Sequence, residues 1–189
     1  MSDTTKIIAF ALCAGLAILA PGGASPAHAQ RKAGGGGTVA CDAEAYANDP
    51  DPRGMNVRSG PGANYQVVGN LPNQDVDGIL VHLTGSQGEW VRIDRAVEQG
   101  GDTERVLFKG MGWVHGSLLS VDGVGGLDGG SPLYRGPVAK GRVLVRVPVD
   151  GGGATVRGCR GRWMYVEHKG VKGWAAPGTL CSNALTNCS

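Results

Sequence analysis

The chain has 189 residues, 41% of them hydrophobic and only 5% aromatic, with 34 glycines and a formal net charge of +2. Such a near-neutral balance lacks the strong basic excess of a nucleic-acid binder. The length allows one ordinary domain or two small ones.

At the start, Lys6 precedes the apolar run "IIAFALCAGLAILA" (7–20), and Ala27-His28-Ala29 supplies a small-x-small cleavage signal. This predicts a secretory signal peptide cut after Ala29. The run of 14 residues falls short of the ~20 that a membrane-spanning helix needs. "FALC", around Cys13, fits a lipid-attachment motif poorly. The expectation is export to the periplasm or beyond, with no stable membrane insertion after cleavage. The mature chain then has 189 − 29 = 160 residues and keeps a net charge of +2. Residues 30–40, with "QRKAGGGGT", read as a flexible linker.

From Cys41 onward no long helical period occurs, and short strands alternate with turns. "AEAYAND" (43–49) predicts a strand. "DPDPRG" (49–54) predicts a turn, because each proline bars its predecessor from helix. "MNVR" and "YQVVGNL" predict two strands around "SGPGAN". "DVDGILVHL" (75–83) alternates as a strand, "TGSQGE" (84–89) reads as a turn, and "WVRIDRA" (90–96) as a strand. A polar insertion over 95–106 separates it from "LFKGMGWVHGSLLSV". Five or six strands at this spacing predict a small all-β barrel.

The same grammar then returns. "GEWVRI" (88–93) matches "GRWMYV" (161–166), and "KGMGWVHGSLL" (109–119) matches "GVKGWAAPGTL" (170–180). "VRSGP" (57–61) has a fainter partner in "YRGP" (134–137). Between them, "DGVGGLDGGS" (122–131) reads as a linker. Two tandem copies, over 41–121 and 132–189, explain this order; a single sandwich with two similar hairpins is the competing reading.

Four cysteines remain after cleavage: Cys41, Cys159, Cys181 and Cys188. An even number in an exported chain predicts two disulfides, with three possible connectivities. The preferred pairing is Cys159–Cys181, with Cys41–Cys188 tying the chain ends. A zinc site is disfavoured, since no C-x-x-C occurs and His82, His115 and His168 lack ligand spacing. No metal or cofactor is expected.

"GMNVRSGPGANYQVVGNLP", followed by "GEWVRI" and "GMGWVHGSLL", resembles the bacterial SH3-like (SH3b) domain, with its N-V-R-x-G-P opening, G-x-W strand and G-W-V closing strand. The resemblance covers 54–121 closely and 132–181 in degraded form, where Tyr134, Arg135, Gly136 and Pro137 keep only the skeleton of the opening. It implies an all-β chain of two tandem SH3-like barrels. It also implies a non-catalytic module that binds peptidoglycan or another envelope component; the alternative is a scaffold module binding an envelope protein. Most of the motif serves the fold: Gly60-Pro61-Gly62 reverses the chain, and Trp113 and Trp174 follow glycines expected at barrel corners. The functional reading puts a shallow groove on the first barrel. Tyr65, Trp90 and Trp113 would supply its aromatic faces, Asn56 and Arg58 its donors, and His115 an edge contact.

A phosphate loop is excluded, because "SGPG" leads into a strand rather than a helix and no G-K-[ST] follows. No Cys/His or Ser/His/Asp arrangement stands out, so no enzyme is expected.

Overall fold

The computed structural model describes residues 36–73, 78–100, 104–149, 152–186 and 188. The expected signal peptide, the start of the linker and the 75–77 part of the fourth expected strand lie outside them. Among the described residues there is no α-helix; the protein is all-β. The strands are β1 (Val39–Ala47), β2 (Met55–Arg58), β3 (Val67–Leu71), β4 (Ile79–Gln87), β5 (Trp90–Glu98), β6 (Arg105–His115) and β7 (Leu119–Gly123). They continue as β8 (Ser131–Tyr134), β9 (Val143–Val147), β10 (Ala154–Arg160), β11 (Trp163–His168), β12 (Val171–Ala175) and β13 (Leu180–Cys181). They form one antiparallel path, β3-β2-β6-β5-β4-β1-β7-β10-β11-β12-β8-β9, with β13 added to β7.

Side-chain alternation explains the layering. In β5, Val91 and Ile93 are fully buried while Trp90 and Arg92 face outward; in β11, Val166 is buried between Tyr165 and Glu167. The core runs without a break from Ala45 and Val57 to Val166 and Ala175.

The pairings recur along the chain. Hairpin β2–β3 places Met55 opposite Leu71 and Arg58 opposite Val67, with an irregularity after Val57. Hairpin β8–β9 places Ser131 opposite Val147 and Tyr134 opposite Val143, with its irregularity after Leu133. Strand β2 meets β6 at Arg58–Trp113, as β8 meets β12 at Tyr134–Trp174. Meanders β4-β5-β6 and β10-β11-β12 complete the two sets, which join where β1 and β7 pair through Tyr46–Ser120 and Ala47–Leu119.

Several expectations need correction. The "TGSQGE" turn is shorter than read: β4 continues to Gln87, because β1 pairs Val39 with Ser86 and Ala40 with Gly85. The two ends of the polar insertion extend the β5–β6 hairpin, with Val97 opposite Val106 and Glu98 opposite Arg105. Asp122 and Gly123, read as linker, are strand residues opposite Cys181 and Leu180. Gly112 and Gly173, which precede Trp113 and Trp174, lie inside β6 and β12, where Val57 and Leu133 pack over them, and the β5–β6 register shifts next to Gly112.

The preferred cysteine pairing is also wrong. The bonds are Cys41–Cys159, with Cα atoms 5.7 Å apart, and Cys181–Cys188, at 5.4 Å. Strand β1 crosses to the turn after β10, where the amide of Asp42 donates to the Gly161 carbonyl and the amide of Gly161 to the Ala40 carbonyl. That crossing brings Cys41 to Cys159. The tail folds back on itself, and the Cys188 carbonyl accepts from the amide of Gly125.

Candidate functional site

Five of the six residues expected to bind ligand lie on the outer face of β2, β6 and β5, and the sixth, Tyr65, lies in the turn between β2 and β3. Asn56 and Arg58 flank the buried Val57, while Trp113 and His115 flank the buried Val114. Arg58 stands opposite Trp113, Trp113 opposite Arg92, and Trp90 opposite His115. The Arg58 guanidinium donates to the Tyr65 carbonyl at 2.9 Å. The Tyr65 ring lies against Gly60, where a side chain would strike it, and is 44% exposed. The "SGPG" turn therefore makes a seat for Tyr65. Trp90 and His115 meet edge to face with ring centroids 5.3 Å apart.

One of the six offers little to a ligand: Trp113 is only 7% exposed, so it anchors the strands beside Arg58 and Arg92. Asn56 is exposed, and its side-chain carbonyl accepts from Asn70 across the β2–β3 hairpin at 3.3 Å. The most accessible features are Asn56 and Tyr65, with Arg58, Trp90 and His115 partly exposed beside them. Below His115, Glu89 lies within 4 Å of Arg157 and Lys172, which also flank Glu167.

A polar cluster that sequence reasoning passed over joins β1, β4 and β5. His82 of β4 places Nδ1 2.7 Å from Asp94 and Nε2 3.0 Å from Asp42. Asp42 is 40 residues away in sequence, so no local spacing announces the contact. Two acceptors suit an imidazolium that donates from both nitrogens. Partial burial pulls its pKa down, but the hydrogen bonds and charges of Asp42 and Asp94 outweigh this and raise it. With both nitrogens held by carboxylates, His82 is a clamp between β1, β4 and β5 rather than a free base. Glu44 and Arg95 line the neighbouring hollow.

Because the folded-state pKa is raised, the clamp's stability is fully present below the unfolded value of about 6.5. It is lost as pH rises through the folded pKa. The urea midpoint of the parent should fall as pH rises from about 6.5 upward, and His82→Gln should flatten that fall. Equal slopes in parent and variant would remove the clamp.

The second set carries aromatic residues at the matching positions. Tyr134, Trp174 and Tyr165 form one cross-strand row, with Trp163 two residues farther along β11. All four are partly exposed. Trp163 and Trp174 were visible in the sequence as repeat markers, but their convergence with Tyr134 and Tyr165 depends on strand register.

These features belong to one antiparallel sheet in which two strand sets repeat a similar pairing pattern, each with partly exposed aromatic residues on its outer face. Residues 53–120 match the family model of the bacterial SH3 domain, a family of binding modules, many of them directed at the cell wall. No curated protein and no solved structure matches the chain.

Proposed function

We propose that the protein is an exported, non-catalytic binding module that recognises peptidoglycan or another envelope component through the outer face of β2–β6–β5. The observation that carries this reading is the partly open Tyr65–Arg58–Trp90–His115 surface inside the stretch matching the bacterial SH3 domain. Aromatic faces beside a guanidinium suit both sugar rings and extended peptide stems. Two disulfides support a site of action in an oxidising compartment. Residues 132–181 are a degraded copy of the same unit in this proposal, supported by the repeated hairpin register.

Co-sedimentation of the protein with purified sacculi tests the reading. The parent should pellet with the wall. Tyr65→Ala and Trp90→Ala, each shown by near-UV circular dichroism to be folded, should weaken binding by about 1–2 kcal/mol, roughly 5- to 30-fold. A parent left wholly in the supernatant would end the wall reading. It would favour a protein partner, for which β3 offers an edge strand with Val67 and Val68 exposed.

A further inference from the structure

The near-neutral total hides a divided molecule. Residues 36–130 hold six Lys and Arg against thirteen Asp and Glu, a net charge of −7. Residues 131–189 hold nine against two, a net charge of +7. The aromatic row lies in the basic part. The Tyr165 and Trp174 ring centroids are 5.0 Å apart with planes tilted by 37°, and Tyr134 meets Trp163 edge to face at 6.2 Å. The Arg160 guanidinium lies 5.9 Å from the Trp174 centroid. Arg135, Arg142 and Arg160 are exposed and form no ion pair with another described residue.

We infer that this face is a second binding site, separate from the β2–β6–β5 face, for a glycan chain bearing carboxylates. Three observations select that ligand class. First, β8, β11 and β12 each have strand neighbours on both sides, so their backbone offers no free edge to an extended peptide. Recognition must use side-chain faces. Second, the row is amphipathic, with the Tyr165 and Trp174 rings inclined at 37° and the Arg160 guanidinium beside them. The C–H face of a sugar ring can lie on a Trp or Tyr ring, and carboxylates can pair with the guanidinium groups around it. Third, the charge is complementary to a polyanion.

The first strand set makes the contrast clear. Where Tyr134 and Tyr165 stand beside Trp174, it has Arg58 and Arg92 beside the nearly buried Trp113. The degraded copy has thus exchanged two cations for two stacking surfaces. A single-stranded nucleic acid shares the chemistry of rings and negative charge. The disulfides favour an extracytoplasmic polymer, and so a glycan.

Affinity electrophoresis of the full secreted chain through gels containing sodium alginate, a polyuronate, tests the inference. Neutral dextran and single-stranded DNA serve as comparators. Alginate should retard the protein in a salt-sensitive manner, and dextran should not. Tyr165→Ala and the exposed Arg160→Gln should each weaken alginate binding by roughly 10-fold. Trp90→Ala should leave it unchanged, which separates this site from the wall-binding face. Equal retardation by dextran, tighter binding to DNA than to alginate, or undiminished binding by both folded variants would overturn the proposal. Loss on Trp90→Ala would also overturn it as a separate site.

Discussion

Replacing Cys41 and Cys159 together by serine should lower the melting temperature by roughly 10 °C or more. The bond closes a loop across 118 residues of sequence separation. In the chain-entropy account, a crosslink over that span removes about 5 kcal/mol of freedom from the unfolded chain. For a domain of this size each kcal/mol corresponds to about 2–4 °C. The bond also has a place in the packing. Cys159 is buried in the core, and the Ser86 hydroxyl bonds both its amide and its carbonyl. The Cys181–Cys188 bond spans only 7 residues, for which the same account gives about 2–3 kcal/mol. Scanning calorimetry of the two double-serine variants without reductant should therefore rank them. A smaller loss for the Cys41/Cys159 pair would refute the reading that this bond holds β1 to β10.

That bond also shows where sequence reasoning stopped. Strands with clean alternation were legible: Val91 and Ile93 point inward and Trp90 and Arg92 outward, as period two requires. The opening motif was legible too, with Tyr65 seated on its glycines. What failed depended on distant partners. "TGSQGE" looks like a turn by composition, yet its first four residues continue β4 because β1 supplies hydrogen bonds and Cys159 engages Ser86. Asp122 looks like linker, yet it pairs with Cys181 and accepts the Tyr46 phenol at 2.9 Å. Burial, followed by that contact with Asp122, pushes the Tyr46 pKa well up.

The candidate sites follow the same division. Asn56, Arg58 and Tyr65 were nameable from one motif because they are close in sequence, and Trp90, Trp113 and His115 from the two motifs that follow it. His82 has partners 12 and 40 residues away, and the row Tyr134–Trp174–Tyr165 spans three strands. One further signal was present and averaged away. Net charge taken over the whole chain cancels two opposite halves, whereas a count by segment exposes the basic surroundings of the second aromatic face.

Gly54→Ala and Gly130→Ala should each destabilise the protein by at least about 2 kcal/mol, and by similar amounts. Both glycines have φ in the left-handed region, +78° and +91°. Adopting that conformation costs a side-chain-bearing residue about 1–2 kcal/mol. Both also lie against backbone. A Cβ on Gly54 would strike the Leu71 carbonyl oxygen and come within 2.9 Å of the Pro72 Cα. A Cβ on Gly130 would strike the Val147 carbonyl oxygen and come within 2.9 Å of its carbonyl carbon. Backbone cannot rotate aside as a side chain can, so the strands must separate at the point where β2 meets β3 and β8 meets β9. Gly170→Ala supplies the control: its φ is +77°, but nothing lies within 4 Å of its added Cβ. Urea unfolding of the three variants therefore isolates the steric part of the loss. If the segment 132–181 is a second copy of the unit, Gly130 just ahead of it is the counterpart of Gly54, and Val147-Pro148 that of Leu71-Pro72. The two losses should then exceed the Gly170 loss together. A Gly130→Ala variant no less stable than Gly170→Ala would show that this close approach does not hold the β8–β9 hairpin. The copy would then have kept the register of the first unit without its packing.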